Sequence, residues 1–401
     1  MFENIIGQAS TVATIRSELT EGRFPRAVLF CGPAYSAKLS TALETARVLT
    51  CTAKAEWSCE CSSCRAHRTV SYPYLLLMGS RYFGVEIAAC ADVLCRAKSR
   101  SSQYLFVRAV RKLTRRFEPI LWEGEETKWR QAQNQLAGIE ENLDSVAPER
   151  SPPDERTLEK RTEGIRALCT KLSSAISADN IPINHVRRAS QWAHISASGS
   201  RKIIIIENAD KMQDSSRNSL LKILEEPPAG VSLILLTTRR SALIPTVASR
   251  LRPYVFFERD RVQTQEILQR IFAEDPASYG TLREYFLAWK DLNPTVLRHH
   301  ALRLGELALA GNRDGTDIVA EMNEILSTGS PRESLISLLE ELLIVLESVL
   351  GGHMVFKSEI PLETVEDWGD AVREQLLGLN LYNMNPTLVL ENLFARMRGK
   401  A

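Results

Sequence analysis

The sequence lacks several features that would place it at once in a class of proteins. Its 401 residues carry 50 basic and 49 acidic side chains, so a net charge of +1 provides no global attraction to nucleic acid. No apolar run approaches the roughly 20 residues that cross a membrane, and the chain does not open with a basic-then-apolar signal segment. With 44% hydrophobic and 25% charged residues, the composition is ordinary for a globular protein of two or three domains. We therefore expect a cytoplasmic protein in which any contact with nucleic acid comes from local patches or from partners.

Two apolar runs and the segment between them form the most regular part of the sequence. Ile203–Ile206 and Val231–Thr238 have the β-branched, apolar character of strands buried on both faces of a parallel sheet. Asp214–Glu226 between them has leucines on one helical face and ends before two prolines. The pattern predicts a βαβ unit, and chemistry in such sheets lies at the carboxyl ends of strands, here around Glu207–Asp210 and Thr237–Arg240.

An earlier buried strand, Ala27–Cys31, leads into a loop that has the position of a phosphate-binding loop. Such a loop needs G-x-x-x-x-G-K-[ST], in which the glycines expose backbone amides, the lysine reaches the phosphates and the hydroxyl binds magnesium. Gly32 and Lys38 are in register, but Ala37 replaces the second glycine and Leu39 replaces the hydroxyl residue. The alternative is a simple strand–helix connection with no role in nucleotide binding.

The polar string after Ile206 departs from the ATPase pattern in a second way. P-loop ATPases place an Asp-Glu pair there as metal ligand and water-orienting base, whereas this chain has Glu207-Asn208. An amide cannot take a proton from water. We therefore expect no intrinsic ATPase activity, and nucleotide binding at this loop stays doubtful.

Four of the eight cysteines fall within fourteen residues. In a cytosolic chain such a cluster is better explained by metal ligation than by disulfides, and four thiolates can close a tetrahedral zinc site. The spacing Cys59-Glu60-Cys61 is tighter than usual, His67 is a conceivable substitute ligand, and free cysteines in a loop are the alternative. The predicted structural zinc ligands are Cys51, Cys59, Cys61 and Cys64.

The motifs "IIIIENADKM", "NSLLKILEEPP", "LILLTT" and "ASRL" also carry a family resemblance. In order and spacing they are similar to the Walker B strand, LEEPP helix, sensor-1 strand and Ser-Arg-Cys motif of bacterial clamp-loader subunits. The chain thus resembles the AAA+ clamp-loader subunits of bacterial DNA polymerase III. Its variant polar string is closer to the delta-prime type than to the ATP-hydrolysing gamma/tau type.

The resemblance implies an α/β fold with three parts. Residues 1–258 would form an AAA+ P-loop-type parallel sheet domain with an embedded zinc module at about 51–67 and a helical insertion at about 81–180. An all-α lid would follow at 259–311 and an all-α C-terminal collar at 312–401.

The resemblance also implies roles for individual residues. Ser249 and Arg250 match the Ser-Arg-Cys motif, in which the arginine reaches the ATP of a neighbouring subunit, while Leu251 replaces the cysteine. The alternative is a surface arginine paired with a carboxylate. Thr295 stands where an ATP-contacting arginine is expected in the lid. The residues that correspond to nucleotide contacts are Gly32, Lys38, Glu207 and Thr238.

The function implied is that of a stator-like, non-hydrolysing subunit of the clamp loader in DNA replication. Its partners would be the gamma/tau and delta subunits and, through the complex, the sliding clamp and primer-template DNA. Two alternatives stay open: an ATP-binding, gamma-like motor subunit, and a zinc-dependent nucleic-acid-binding adaptor.

The inserted segment follows the strand Tyr72–Ser80 and has helical periodicity at 87–98, 104–117, 127–143 and 155–176. A row of basic residues lies on the second of these helices. We interpret it as a solvated helix face, with contact to DNA as the alternative. The row consists of Arg108, Arg111, Lys112, Arg115 and Arg116.

After Arg259 the pattern is helical throughout. A turn-like stretch, Asn312–Gly315, suggests a linker between the lid and the collar. The predicted helices are Thr264–Phe272, Tyr279–Lys290, Pro294–Leu309, Asp317–Ser327, Pro331–Leu350, Pro361–Leu377 and Pro386–Met397.

Overall fold

The computed structural model divides the chain into two compact units, Met1–Leu282 and Arg283–Ala401. The predicted linker at 312–315 and most of the predicted helix at 317–327 lie outside the residues that it describes. The predicted domain limits at 258 and 311 stay a prediction. The described residues are 1–79, 81, 83–176, 181–195, 199–212, 214–290, 294–310, 320, 322, 326, 331–357, 360–382 and 384–399.

The first unit is built on a five-stranded sheet in the order β2-β3-β4-β1-β5, with every neighbouring pair parallel. Strands β1 to β4 are buried along their whole length, as expected for a parallel sheet covered on both faces. The predicted parallel α/β sheet is therefore confirmed. The strands are β1 (Ala27–Cys31), β2 (Leu75–Met78), β3 (Lys202–Ile206), β4 (Val231–Thr237) and β5 (Arg252–Val255).

Helices surround this sheet, and most of them lie within a few residues of the predicted bounds. The predicted βαβ unit is present, because β3 and β4 are parallel neighbours joined through α9. The helices are α1 (Ala9–Thr20), α2 (Lys38–Thr50), α3 (Ser62–Arg68), α4 (Phe83–Ala97), α5 (Arg100–Thr114), α6 (Glu126–Ser145), α7 (Glu155–Ser173), α8 (Ile183–His194), α9 (Asp214–Glu225), α10 (Pro245–Ala248) and α11 (Arg261–Arg270).

The core of this unit forms where α1 and α2 pack on apolar side chains of the sheet. Phe30 lies at its centre and contacts the rings of Tyr254 and Phe256 at centroid distances of 5.6 and 5.1 Å. Burial of these side chains fixes the strands, and thereby the positions of the loops at their carboxyl ends.

The predicted helical insertion consists of α4 to α7. Helices α6 and α7 pack against each other and are joined by a segment that contains Pro152-Pro153, as an αα-hairpin requires. Helix α5 packs on α4 and continues into a 3₁₀ turn, Arg115–Phe117, which lies against β2. This turn brings the insertion to the carboxyl edge of the sheet.

The second unit is helical in the part that the structure describes. Its core surrounds Trp368, which is fully buried and whose indole Nε1 donates to the carbonyl oxygen of Met397 at 2.9 Å. Across the residues described in both units, no helix is long and apolar enough to cross a membrane. The remaining helices are α12 (Leu282–Ala288), α13 (Pro294–Ala310), α14 (Pro331–Leu350), α15 (Leu362–Tyr382) and α16 (Pro386–Arg398).

Candidate functional site

The loops after the parallel strands meet at one edge of the sheet, where the sequence predicted the site. Lys38 begins α2 after the β1 loop, Glu207 follows β3, and Thr237 ends β4. Gly32 is required by close packing, because a Cβ atom there would lie 2.2 Å from the carbonyl oxygen of Phe256.

The lysine of the degenerate phosphate loop is turned back onto its own loop. Lys38 Nζ donates to the carbonyl oxygen of Gly32 at 2.7 Å and to Ser36 Oγ at 3.2 Å. Burial lowers its pKa to about 8, although the charge of Glu207 partly opposes that effect. Ala37 adopts a left-handed conformation (φ +67°), which favours glycine. The loop therefore has the backbone conformation of a glycine position although alanine occupies it.

Two arginines that the sequence did not single out as site residues neutralise Glu207. Arg116 Nη2 donates to Glu207 Oε2, and Arg81 Nη1 lies 3.4 Å from Glu207 Oε1. The Arg116 side chain is only 3% exposed. Both oxygens of the carboxylate therefore face guanidinium groups of the same chain.

Arg116 is fixed along its whole length. Its Nε donates to the carbonyl oxygen of Gly79 at 3.2 Å, its Nη1 to the carbonyl of Lys112, and its guanidinium lies 4.9 Å from the centroid of the Phe83 ring. Its own carbonyl accepts from Trp122 Nε1 at 2.8 Å. Burial lowers the pKa of Arg116 to about 10, with Glu207 opposing the shift, so the group is still charged at neutral pH.

A second carboxylate continues this network. Glu86 pairs with Arg81 at 2.7 Å and with Lys112. Burial would raise the pKa of Glu86, but the charges of Arg81 and Lys112 outweigh burial and lower it to about 2. Two acids and three bases thus form one cluster between the insertion and the sheet edge, in which Arg116 is the most buried and Arg81 the most exposed.

We expect Glu86→Gln to destabilise the first unit near neutral pH. A pKa lowered from 4.5 to about 2 corresponds to about 3 kcal/mol of unfolding free energy. Because the folded-state pKa lies below the unfolded one, this contribution is complete above pH 4.5 and is lost as the pH falls towards 2. Urea unfolding of wild type and variant between pH 3 and pH 7 measures the difference.

Glu140→Gln provides the matched control, since Glu140 is half-exposed and pairs at 3.3 Å with Arg111, the neighbour of Lys112 on α5. That variant should change the unfolding free energy by at most about 0.5 kcal/mol. A Glu86→Gln effect of equal size at pH 3 and pH 7 would contradict the assigned charge state.

The basic row on α5 and the following turn is not a solvated face, so that interpretation is wrong. Arg108 donates to the carbonyl of His67 at 3.1 Å, and Arg115 to the carbonyl of Leu75 at 2.8 Å. Helical periodicity shows which charged residues share one face of a helix, but it does not show what packs on that face. Here α3 and the segment before β2 pack on it. None of the five is exposed: Arg108, Arg111, Lys112, Arg115 and Arg116.

At the end of β4 the buried hydroxyl belongs to Thr237, whereas Thr238 is exposed. Thr237 Oγ1 donates to Asp210 Oδ1 at 2.7 Å, and Arg239 Nη2 lies 3.2 Å from Asp210 Oδ2. Asp210 belongs to the polar string that the sequence placed at this edge, and that string was the signal for its role. Thr295 lies in the second unit, on α13, and is exposed.

Ser249 and Arg250 lie on the surface at the end of α10. Arg250 Nη2 pairs with Glu225 Oε1 at 2.7 Å, and Nη1 donates to the carbonyl of Thr246, also at 2.7 Å. The two side chains of the ion pair are 34% and 51% exposed, and such pairs contribute about 0–1 kcal/mol. This ion pair agrees with the alternative that Arg250 is a surface arginine paired with a carboxylate. The pair is nevertheless weak enough for the guanidinium to break it and bind another group.

The four clustered cysteines meet in space. Their sulfur atoms all lie within 4.8 Å of one another, with Cys51 at 3.6 Å from Cys59 and 3.9 Å from Cys61. A tetrahedral zinc ion with Zn–S bonds of 2.3 Å requires sulfurs about 3.8 Å apart. The four thiols therefore fit a metal ion of this geometry, with Cys64 as the most buried of them.

A buried ion pair supports this cluster. Arg47 Nη1 lies 3.1 Å from Cys64 Sγ, and Arg47 Nη2 pairs with Glu44 at 2.7 Å, with both side chains at most 4% exposed. Burial would raise the pKa of Cys61, but backbone donors led by the amide of Cys64 lower it to about 6, whereas at Cys64 burial outweighs the effect of Arg47 and raises the pKa. Donors aimed at sulfur favour the thiolates that bind metal. This pair was not singled out from the sequence, where its available signal was an acid and a base spaced i, i+3 on α2.

His67 lies outside the sulfur cluster. Its Nε2 is 2.8 Å from Thr50 Oγ1, and its ring stacks on Tyr72 at a centroid distance of 4.5 Å. Burial, together with the charge of Arg108, lowers its pKa to about 3. Four thiols are enough for a tetrahedral site, so a metal bound there would not need His67 as a ligand.

Comparison with known proteins agrees with these observations. The sequence model of a family described as "DNA polymerase III, delta subunit" matches residues 7–120 and 133–260, which include most of the helical insertion. Among solved structures, a DNA polymerase III gamma subunit-related protein of Thermotoga maritima is 19% identical, with a TM-score of 0.32, and the alignment covers 56% of this chain and 81% of that one.

Three similar proteins bear the name DNA polymerase III subunit delta'. The one from Pseudomonas aeruginosa is 34% identical over 79 residues, which are 20% of this chain and 24% of that protein. Those from Buchnera aphidicola and Bacillus subtilis are 37% and 35% identical over 75 residues, or 18% and 19% of this chain and 22% of each relative. The matched stretch thus spans about a quarter or less of each relative. The family model, by contrast, matches more than half of the chain, and this protein therefore belongs to the family of DNA polymerase III clamp-loader subunits of the delta' type.

Proposed function

We propose that this chain is a non-hydrolysing, stator-like subunit of a bacterial DNA polymerase III clamp loader. One observation carries the absence of hydrolysis. Glu207, which stands where an ATPase places its metal-binding acid, has both oxygens paired with arginines of the same chain. The neighbouring loop has Leu39 where a hydroxyl would bind magnesium, so no route for the metal is left.

The second part of the proposal is an arginine finger acting in trans. Arg250 is held on the surface by one weak ion pair and a carbonyl, next to Ser249 of the matching motif. A guanidinium stays charged and can contact two phosphate oxygens at once, which suits a γ-phosphate held by another subunit. A subunit whose own site is inactive can contribute to turnover in this way.

The third part concerns architecture and partners. We assign structural zinc to Cys51, Cys59, Cys61 and Cys64, and lid and collar roles to the helices after Arg259. The partners would be the gamma/tau and delta subunits, with the sliding clamp and primer-template DNA reached through the complex. The relatives named DNA polymerase III subunit delta' support this assignment.

The two alternative functions have less support. A gamma-like motor needs Lys38 free for phosphates, whereas its Nζ is directed to the loop carbonyls. A nucleic-acid-binding adaptor would use the basic row of α5 as its binding surface, whereas Arg108 and Arg115 of that row donate to internal carbonyls.

We expect the purified chain neither to bind Mg·ATP measurably nor to hydrolyse it. The reason is the combined loss of the magnesium hydroxyl at Leu39 and of a free acid at Glu207. Isothermal titration and phosphate release measure the two properties, and Lys38→Ala is the matched variant. Turnover by the wild type that disappears in Lys38→Ala would contradict the proposal and favour the motor function.

Copurification of the native complex, followed by identification of its members, tests the proposed partners.

A further inference from the structure

Arg116 of the insertion pairs with Glu207, and a site that has merely lost hydrolysis would not need this pair. An ATPase site can be inactivated by losing residues, as at Leu39, and left open. Here, in addition, a charged side chain from the insertion occupies the space beside the acid. The insertion therefore adds a group to the site.

The chemistry of Glu207 defines what that group replaces. An acid at the carboxyl end of a buried parallel strand, next to a phosphate-type loop, is a place where a divalent cation binds between carboxylate and phosphate oxygens. A buried carboxylate needs a positive counter-charge, because leaving it unpaired is strongly unfavourable. Arg116 and Arg81 provide that charge on its two oxygens.

We propose that Arg116 is a built-in counter-ion that takes the cation position at Glu207, so that the insertion closes the site to divalent metal. The inference rests on one part of the proposed function, the lack of hydrolysis at this site. It does not depend on assembly into a clamp loader. It gives the insertion, whose purpose the sequence left open, a definite role.

The way Arg116 is held supports a dedicated role. Its side chain donates to Glu207 and to two carbonyls, one of them that of Gly79 at the end of β2. Gly79 has to be glycine, because a Cβ atom there would lie 2.1 Å from the carbonyl oxygen of Glu207. The strand end, the acid and the arginine thus form one close-packed unit.

The test is divalent-metal binding by the purified full-length chain, with Mn²⁺ as the probe and electron paramagnetic resonance as the readout. Wild type should show no site at Glu207. Arg116→Met should gain one, with an affinity at least ~100-fold higher, because the repulsion between a unit charge and a divalent ion a few ångströms away exceeds what a 100-fold change requires, even at an effective dielectric constant of about 20. The gain should disappear in Arg116→Met/Glu207→Met.

Arg111→Met is the matched control, since Arg111 lies on α5, just before the 3₁₀ turn that carries Arg116, and pairs with the half-exposed Glu140. If Arg116→Met does not fold, Arg116→Gln replaces it; glutamine removes the charge but keeps polar donors, and its gain in Mn²⁺ affinity should disappear in Arg116→Gln/Glu207→Gln. Mn²⁺ bound at Glu207 in wild type, or no gain in any folded Arg116 variant, would overturn the inference. ATP turnover by wild type would instead refute the proposed function, so the two failures are distinguishable.

Discussion

Replacing Arg250 by alanine should leave this chain folded but should lower ATP turnover at one site of the reconstituted complex by on the order of 10³-fold. The guanidinium would stabilise the negative charge that develops on a γ-phosphate bound by a neighbouring subunit. In the isolated chain Arg250 is one third exposed, pairs with the half-exposed Glu225 and donates to the carbonyl of Thr246, so its removal should have little effect on stability. DNA-stimulated phosphate release by the assembled complex is the measurement.

Two further variants separate a finger from a surface arginine. Arg250→Lys should rescue poorly, because an ammonium keeps the charge but loses the planar two-point contact. Glu225→Gln removes the ion pair and keeps the arginine, so it should retain full turnover. Gel filtration has to establish assembly first. An intact Arg250→Ala complex that turns over ATP and loads clamps like wild type would leave Arg250 as a surface residue.

Loss of the metal from the cysteine cluster should have the largest effect on the stability of the first unit. We expect one zinc per chain, and Cys61→Ser should reduce the zinc content towards zero. In small zinc-dependent peptides the ion contributes about 10–16 kcal/mol, which bounds the destabilisation expected here. Because Cys64 is buried and lies 3.1 Å from the buried Arg47 of α2, the loss should extend beyond the module itself. Metal analysis and thermal unfolding, with and without chelator, measure both effects.

The controls for this prediction come from cysteine and histidine residues outside the cluster. Cys95 contacts Thr162 Oγ1 at 3.6 Å in the insertion, so Cys95→Ser should keep a full equivalent of zinc. His67→Gln should also keep it, because the ring contacts Thr50 and Tyr72. Wild-type protein prepared without chelator that contains no zinc would rule the site out. A full equivalent in Cys61→Ser would instead bring His67 back as a ligand.

The sequence by itself determined the features that depend on local pattern. Apolar runs at β1, β3 and β4 predicted a buried parallel sheet, and the sheet is there, because a strand covered on both faces has to be apolar along its length. The cysteine cluster was also readable, because ligands close in the chain can meet without a particular tertiary arrangement. The same holds for the missing groups at Ala37 and Leu39, which are defined by their place in one loop.

Only the tertiary structure decided how the charges are used. Glu207 and Arg116 are 91 positions apart, and no local pattern connects them. The periodicity of α5 placed basic residues together and favoured a solvated face, but the face packs on β2 and α3, and burial turned those charges into internal donors. A side chain's electrostatic partner depends on which segments are brought together by packing, and a single sequence carries no direct record of that. For this protein, therefore, the sequence predicts the sheet and the cysteine cluster, while the pairing of Glu207 with Arg116 and Arg81 is a property of the folded chain.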